Sequence, residues 1–136
     1  MIVADTSGLL ALFNRGEPAH KAVEVIVEAE PQPLIVSPYV VAELDYLVAT
    51  RLGADAELAV LAELAGGAYD LTAMSADDVD TCRSVIERYH DQEIGVADAS
   101  LVALADRYRT KTVLTLDHRH FDVVRPLSGG RFKVLP

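Results

Sequence analysis

The chain has 136 residues, enough for one domain with one proper core, and its apolar fraction of 51% argues against disorder. No apolar run approaches the roughly 18 residues of a membrane span, and no basic leader precedes the first apolar run. The single cysteine, Cys82, excludes an internal disulfide, so a cytoplasmic location is the expectation. The net charge of −9 argues against a polyanionic partner, but it is unevenly spread. Residues 1–105 carry 18 acids against five Lys/Arg, and residues 106–136 carry three acids against seven. That asymmetry suits a phosphate-binding end on an acidic body as well as it suits a plain solvated face.

Ile2-Val3-Ala4 is an apolar run ending on Asp5-Thr6-Ser7, which reads as a buried strand of a parallel sheet followed by a turn or helix cap. Gly8–Phe13 follows as a short helix that stops near Asn14-Arg15-Gly16. Pro18 suits the first position of a second helix, patterned by Ala22, Val23, Ile26 and Val27 and ended by Pro31 and Pro33. Leu34-Ile35-Val36 reads as a second strand, and Pro38 opens a helix that runs to Gly53 with Val40, Leu44, Leu47 and Val48 on one stripe. Glu43 lies about 60° from Val40 at the edge of that stripe, while Asp45 falls on the solvent side.

Asp55 is expected to cap a helix bearing Leu58, Leu61 and Ala65, and Tyr69-Asp70-Leu71 to form a short strand. Ser75-Ala76-Asp77-Asp78 is an acidic variant of the capping box. The helix it starts carries Val79, Cys82, Val85, Ile86 and Tyr89 on one face, so Cys82 reads as a small core residue. A loop from His90 to Gly95 leads to a helix from Val96 to Tyr108, on which Asp98 leans toward the packed side. Thr112–Leu116 is a further apolar strand ending on Asp117, His118 and His120 read as exposed loop residues, and Phe132–Leu135 is a last strand. Strands separated by helices predict an α/β fold: a central parallel sheet flanked by helices in three layers, as a single domain over 1–136.

Two strands ending in Asp5 and Asp117 deliver both acids to one sheet edge if they run parallel, which is where open α/β sheets place ligands. Glu43 lies in the second turn of a helix leaving another strand at that edge, and Asp98 lies in the first turn of its own helix. Singly, each has an ordinary role as a cap, a helix-flank acid, a first-turn acid or a turn residue. Together, four acids leaning toward one apolar cleft repel one another and lose solvation, and a divalent cation is the usual remedy. All-oxygen ligands suit Mg²⁺ or Mn²⁺ rather than Zn²⁺.

With these residues in place the chain resembles the PIN-domain nucleases, specifically the VapC-type toxins of bacterial toxin–antitoxin pairs. The resemblance rests on Asp5-Thr6-Ser7, on Glu43 within Ser37–Leu44, on Gly95-Val96-Ala97-Asp98-Ala99 and on Thr115–Phe121, in that order along the whole chain. It implies a PIN-like fold and an endoribonuclease that leaves 5′-phosphate and 3′-hydroxyl ends. It also implies that Asp5, Glu43, Asp98 and Asp117 hold one or two Mg²⁺ or Mn²⁺ ions, with Thr6 and Thr115 as flanking hydroxyls. Asp91 matches an additional acid found in some members. The implied substrate is transfer RNA or ribosomal RNA, whose cleavage inhibits translation, with Arg107, Arg119 or Arg125 as phosphate contacts. The implied partners are a cognate antitoxin, docked on the helices around Val40–Leu52 and Leu58–Ala65, and a second copy in a homodimer.

A receiver-like Mg²⁺-binding phosphoacceptor domain requires paired acids after the first strand, where Asp5 stands alone, and an acceptor Asp where the second strand ends in Ser37-Pro38. A haloacid-dehalogenase-type phosphatase requires an acid at position 7, which is Ser. A non-catalytic module binding RNA or a protein partner stands as the alternative, and it differs in binding metal without cutting RNA.

Overall fold

The computed structural model describes residues 1–136. Five short strands form one fully parallel sheet: β1 (Val3–Ala4), β2 (Leu34–Val36), β3 (Tyr69–Leu71), β4 (Thr112–Leu114) and β5 (Lys133–Leu135). Their spatial order is β3-β2-β1-β4-β5. Val3 stands opposite both Ile35 and Val113, and Ala4 opposite Leu114. These central residues are buried because helices cover the sheet, which explains strands that read as continuous apolar runs. The chain moves outward from β1 to β2 and β3, then returns to β1's other side for β4 and β5. The sheet therefore changes direction between β1 and β4, and the crevice outside the carboxyl ends of such a pair is where doubly wound sheets bind ligands.

Seven α-helices flank the sheet: α1 (Thr6–Phe13), α2 (His20–Ala29), α3 (Pro38–Leu52), α4 (Ala54–Ala65), α5 (Ala76–Arg88), α6 (Val96–Arg107) and α7 (His118–Val123). Local chemistry sets most of their ends. The Ser37 hydroxyl accepts the Tyr39 N–H at 3.1 Å with Pro38 at the first helical position, and Gly53, at φ +92°, ends α3. Ser75 and Asp78 form the expected reciprocal box at the start of α5, at 2.7 and 3.2 Å. Cys82 is buried in α5, as its stripe predicts. In α6 every residue from Ala99 to Ala105 is buried, so this helix is packed on all sides. No helix is long and apolar enough to cross a membrane.

Several boundaries differ from the sequence reading. α1 begins at Thr6 rather than Gly8, and α2 begins at His20 with Pro18 in the preceding turn. Asp55 lies inside the first turn of α4, whose cap position belongs to Gly53. β4 stops at Leu114, two residues before the expected end. Asp45 is half-buried whereas Glu43 is exposed, the reverse of the expected ranking. The segment from His118 is helical rather than a loop, a helix of six residues being too short to show a period. It is pinned by Phe121, buried and edge-on to Phe132 at 5.7 Å and 87°.

Candidate functional site

Asp5 occupies the N-cap position of α1 but does not cap it; its side chain accepts nothing from the helix N–H groups. The carboxylate is 5% exposed and turns across to β4 instead. Its Oδ2 accepts from the Thr115 hydroxyl at 2.7 Å and from the Ser7 hydroxyl at 3.1 Å. With both protons directed at Asp5, the two hydroxyl oxygens, 3.1 Å apart, act as acceptors for the following backbone: Leu116 N–H donates to Ser7 at 2.9 Å and Asp117 N–H to Thr115 at 3.0 Å. Asp5 N–H in turn donates to the Leu114 carbonyl at 2.9 Å. Three hydrogen bonds thus cross between the ends of β1 and β4 at the point where the sheet changes direction, and two local ones, Ser7 to Asp5 and Asp117 N–H to Thr115, brace them.

Glu43 and Asp98 come from the two helices beside this seam. Ser37 and Ser100, both fully buried, share a 2.7 Å hydrogen bond, and the Ser100 hydroxyl donates to the Ala97 carbonyl at 2.6 Å. That contact ties the N-cap of α3 to the second turn of α6 and so helps to fix Glu43 relative to Asp98. Asp98 receives a long 3.5 Å contact from Gly95 N–H, half of a capping box, since Gly95 has no side chain to complete it. Burial pushes the Asp98 carboxyl up to about 6; negative charge on Asp5 and Glu43 adds to the rise, and His120 and the Gly95 N–H oppose it.

Asp117 stands at the start of α7, where its Oδ1 is buried without a hydrogen-bond partner. Its neighbours Ser7, Leu116, His118 and Arg119 line an open recess of about 410 Å³ with it. The structure therefore brings Asp5, Glu43, Asp98, Asp117 and Thr115 to one edge. Thr6 is placed differently: its hydroxyl is buried beside the seam with no partner, while Ser7 makes the contacts expected of it. Asp91 is exposed in a 3₁₀ turn, His90–Gln92, and joins no hydrogen bond or ion pair.

His120 corrects the loop reading of the histidines. Its side chain is 18% exposed and faces Asp98 and Asp117 from α7. Three-residue spacing on a helix was the signal available, hidden because α7 itself was not foreseen. The three arginines also part ways. Arg107 is occupied, donating to Asp78, to the Thr72 hydroxyl at 3.0 Å and to the Ala73 carbonyl at 2.9 Å. Arg125 donates to the Asp122 carbonyl at the end of α7. Arg119 stands beside the acids, 87% exposed, with its Nε in a loose ion pair 3.6 Å from Asp117 Oδ1 and no hydrogen bond.

Four carboxylates with an orphaned buried oxygen form an oxygen-rich donor set of the kind a hard divalent cation satisfies. As placed, no three His, Cys, Asp or Glu side chains converge closely enough to hold an ion. Side-chain rotation must draw them together. A second recess of about 460 Å³ lies between α1, α2 and α4, lined mainly by apolar residues such as Leu12, Phe13, Val27 and Val60 but also by Arg15 and Glu63.

Comparison with known proteins follows the same lines. The family model described as the PIN domain matches residues 2–126. The chain is 57% identical over 135 residues to Ribonuclease VapC26 of Mycobacterium tuberculosis, covering 99% of this chain and 100% of the relative. Among solved structures it is similar to VapC20 of Mycobacterium tuberculosis, described as a sarcin-ricin loop cleaving toxin, with a TM-score of 0.84 and 22% identity over the whole of both chains. It is also similar to VapBC2 from Rickettsia felis bound to a promoter DNA fragment, with a TM-score of 0.71 and 16% identity, again over both whole chains. At those identities the structural likenesses establish the fold.

Proposed function

This chain belongs to the PIN-domain family, in its VapC branch, and from that premise we propose that it is the toxin of a toxin–antitoxin pair, a Mg²⁺- or Mn²⁺-dependent endoribonuclease that cleaves transfer RNA or ribosomal RNA and so inhibits translation. One observation carries the reading. Asp5, Glu43, Asp98 and Asp117 come from four elements to the edge where the sheet changes direction, and the charges of Asp5 and, least, Glu43 disfavour the charged form of Asp98. Mutual repulsion of this kind is costly unless a cation offsets it.

Asp5 would hold the ion through Oδ1, because Oδ2 is committed to Thr115 and Ser7. Asp117 would use its orphaned Oδ1, with Asp98 and Glu43 closing from the helices. When bound, such an ion makes water a nucleophile at neutral pH and offsets the charge that builds on the scissile phosphate. The chain's own part is orientation: Thr115 and Ser7 fix the Asp5 carboxylate, and the Ser37–Ser100 contact helps to fix the spacing of the two helices. Arg119, exposed and paired only at 3.6 Å with Asp117, is the phosphate contact. Attack on phosphorus with departure of the 3′ oxygen leaves a 5′-phosphate and a 3′-hydroxyl.

The relative at 57% identity is named a ribonuclease, and the structural neighbour VapC20 is described as cleaving the sarcin-ricin loop, which supports a structured RNA substrate. The mainly apolar recess between α1, α2 and α4 suits an amphipathic antitoxin helix. Exposed Tyr46, Leu58 and Val79 offer apolar surface for a homodimer. The test is incubation of antitoxin-free protein with total bacterial RNA and ribosomes, in Mg²⁺ or Mn²⁺, with EDTA and Asp5→Asn as controls and 5′ ends mapped by sequencing. Discrete metal-dependent cuts, lost in the variant, are expected. Metal binding without cleavage would establish a binding module instead.

A further inference from the structure

The sequence points to a cluster of oxygen donors; the fold sets an imidazole nitrogen beside two of them. His120 Nδ1 lies 3.4 Å from Asp98 Oδ2 and 3.4 Å from Asp117 Oδ2. This nitrogen is buried and has no hydrogen-bond partner. Both oxygens are within reach of it, yet neither lies along its N–H direction, where a hydrogen bond would place an acceptor. The nitrogen thus faces two carboxylates at ion-pair distance with no hydrogen bond formed to either, which leaves it open to a cation drawn between them. With bonds of about 2.1 Å, adjacent donors stand about 3.0 Å apart in an octahedron and about 3.4 Å apart in a tetrahedron. Drawing the three groups onto one ion requires side-chain rotation, because as placed they do not converge on a common point. Phe121, packed edge-on against Phe132, holds α7 in the orientation that turns His120 inward.

Resting on the metal-dependent reading above, we propose that His120 is a nitrogen ligand of the same site and that it biases the site toward Mn²⁺ over Mg²⁺. Mg²⁺ is a hard ion that dehydrates reluctantly and takes oxygen donors. Imidazole is a softer ligand, and the transition series, of which Mn²⁺ is the first in the Irving–Williams order, accepts it more readily. Asp98 and Asp117 supply charge; His120 supplies selectivity.

The experiment is a titration of the purified full chain with Mn²⁺ followed by electron paramagnetic resonance, with Mg²⁺ as competitor. Electron spin-echo modulation on the Mn²⁺-loaded protein then reports nitrogen ligation directly. Expected are ¹⁴N modulation that changes on ¹⁵N-histidine labelling, persists in His118→Asn and disappears in His120→Asn. The Mn²⁺/Mg²⁺ affinity ratio should fall by about tenfold or more in His120→Asn. Melting curves establish whether that variant folds; if it does not, isotope labelling of the wild type together with His20→Asn, His90→Asn and His118→Asn still assigns the ligand. Mn²⁺-dependent RNA cleavage with no ¹⁴N coupling would overturn this inference while leaving the nuclease reading intact. Histidine coupling without any RNA cleavage would support the ligand and sink the nuclease. Absence of Mn²⁺ binding would sink both.

Discussion

Asp98 and its neighbours carry the sharpest consequences at the scale of single residues. In the metal-free protein its carboxyl titrates at about 6, against an ordinary 3.8, chiefly because it is buried and next because Asp5 repels its charge. The unfolded chain therefore gives up this proton at lower pH than the folded one. The associated stability is complete below about pH 4 and is lost as pH rises through about 6, with an upper bound of about 3 kcal/mol. Asp98→Asn removes the loss, so its melting temperature in EDTA should exceed the wild type's by a margin that widens from about pH 4.5 to about pH 7. Thr115 is fully buried and serves Asp5 and the Asp117 N–H at once. Thr115→Val leaves both without it and should cost about 2–3 kcal/mol by denaturant melts. Ser7 is half-buried, so Ser7→Ala should cost only about 1 kcal/mol. Its loss frees the Asp5 carboxylate to rotate, and RNA cleavage should fall about 10- to 100-fold.

Elements set where these residues stand. α1 lies so close to β4 that a Cβ on Gly8 would meet the Leu114 carbonyl oxygen at 2.6 Å. Backbone cannot yield as a flexible side chain would, so Gly8→Ala should push α1 away from the seam and cost about 1–3 kcal/mol or more. Melting curves check the cost, and weakened metal binding checks the displacement. Arg107 ties the end of α6 to the start of α5 and to the segment after β3. Its hydrogen bond holds the Asp78 carboxyl down at about 2, with the Ser75 N–H helping. Arg107→Ala should lower the melting temperature at neutral pH, by a margin that shrinks as pH falls through about 3.8 toward 2. RNA cleavage should be unaffected, because the guanidinium is already occupied. Arg119→Ala should do the opposite, leaving stability unchanged and raising KM.

At the scale of the molecule, an ion that binds only the folded chain stabilises it by mass action. Mn²⁺ at about 100 times its Kd should add about 2.7 kcal/mol, reversed by EDTA and absent in Asp5→Asn. The same scale redistributes the basic C-terminal stretch. Arg109, Lys111, Arg131 and Lys133 lie near the starts of β4 and β5, at the edge opposite the acids, and only Arg119 and Arg125 remain on the side of the site. A charge count along the chain cannot see this, since parallel strands carry one end of each segment away from the other.

Much of the fold was legible because its signals are local. Apolar runs bounded by Pro, Ser and Asp mark the strands, the Ser75–Asp78 box and Ser37-Pro38 mark helix starts, and acids following strand ends mark an edge. Such features depend on neighbours within a few residues, and they determined the parallel α/β class and the placing of Asp5 and Asp117 at one edge. Only the tertiary structure decided that Ser7 rather than Thr6 reaches Asp5, that Asp98 is the acid whose charge is disfavoured, that His120 faces the carboxylates, and that Arg107 is already taken. Each of those depends on the direction of a side chain across a contact such as Ser7 to Thr115, 108 residues apart in sequence. Direction at that distance is set by how the helices pack on the sheet, which no local pattern encodes.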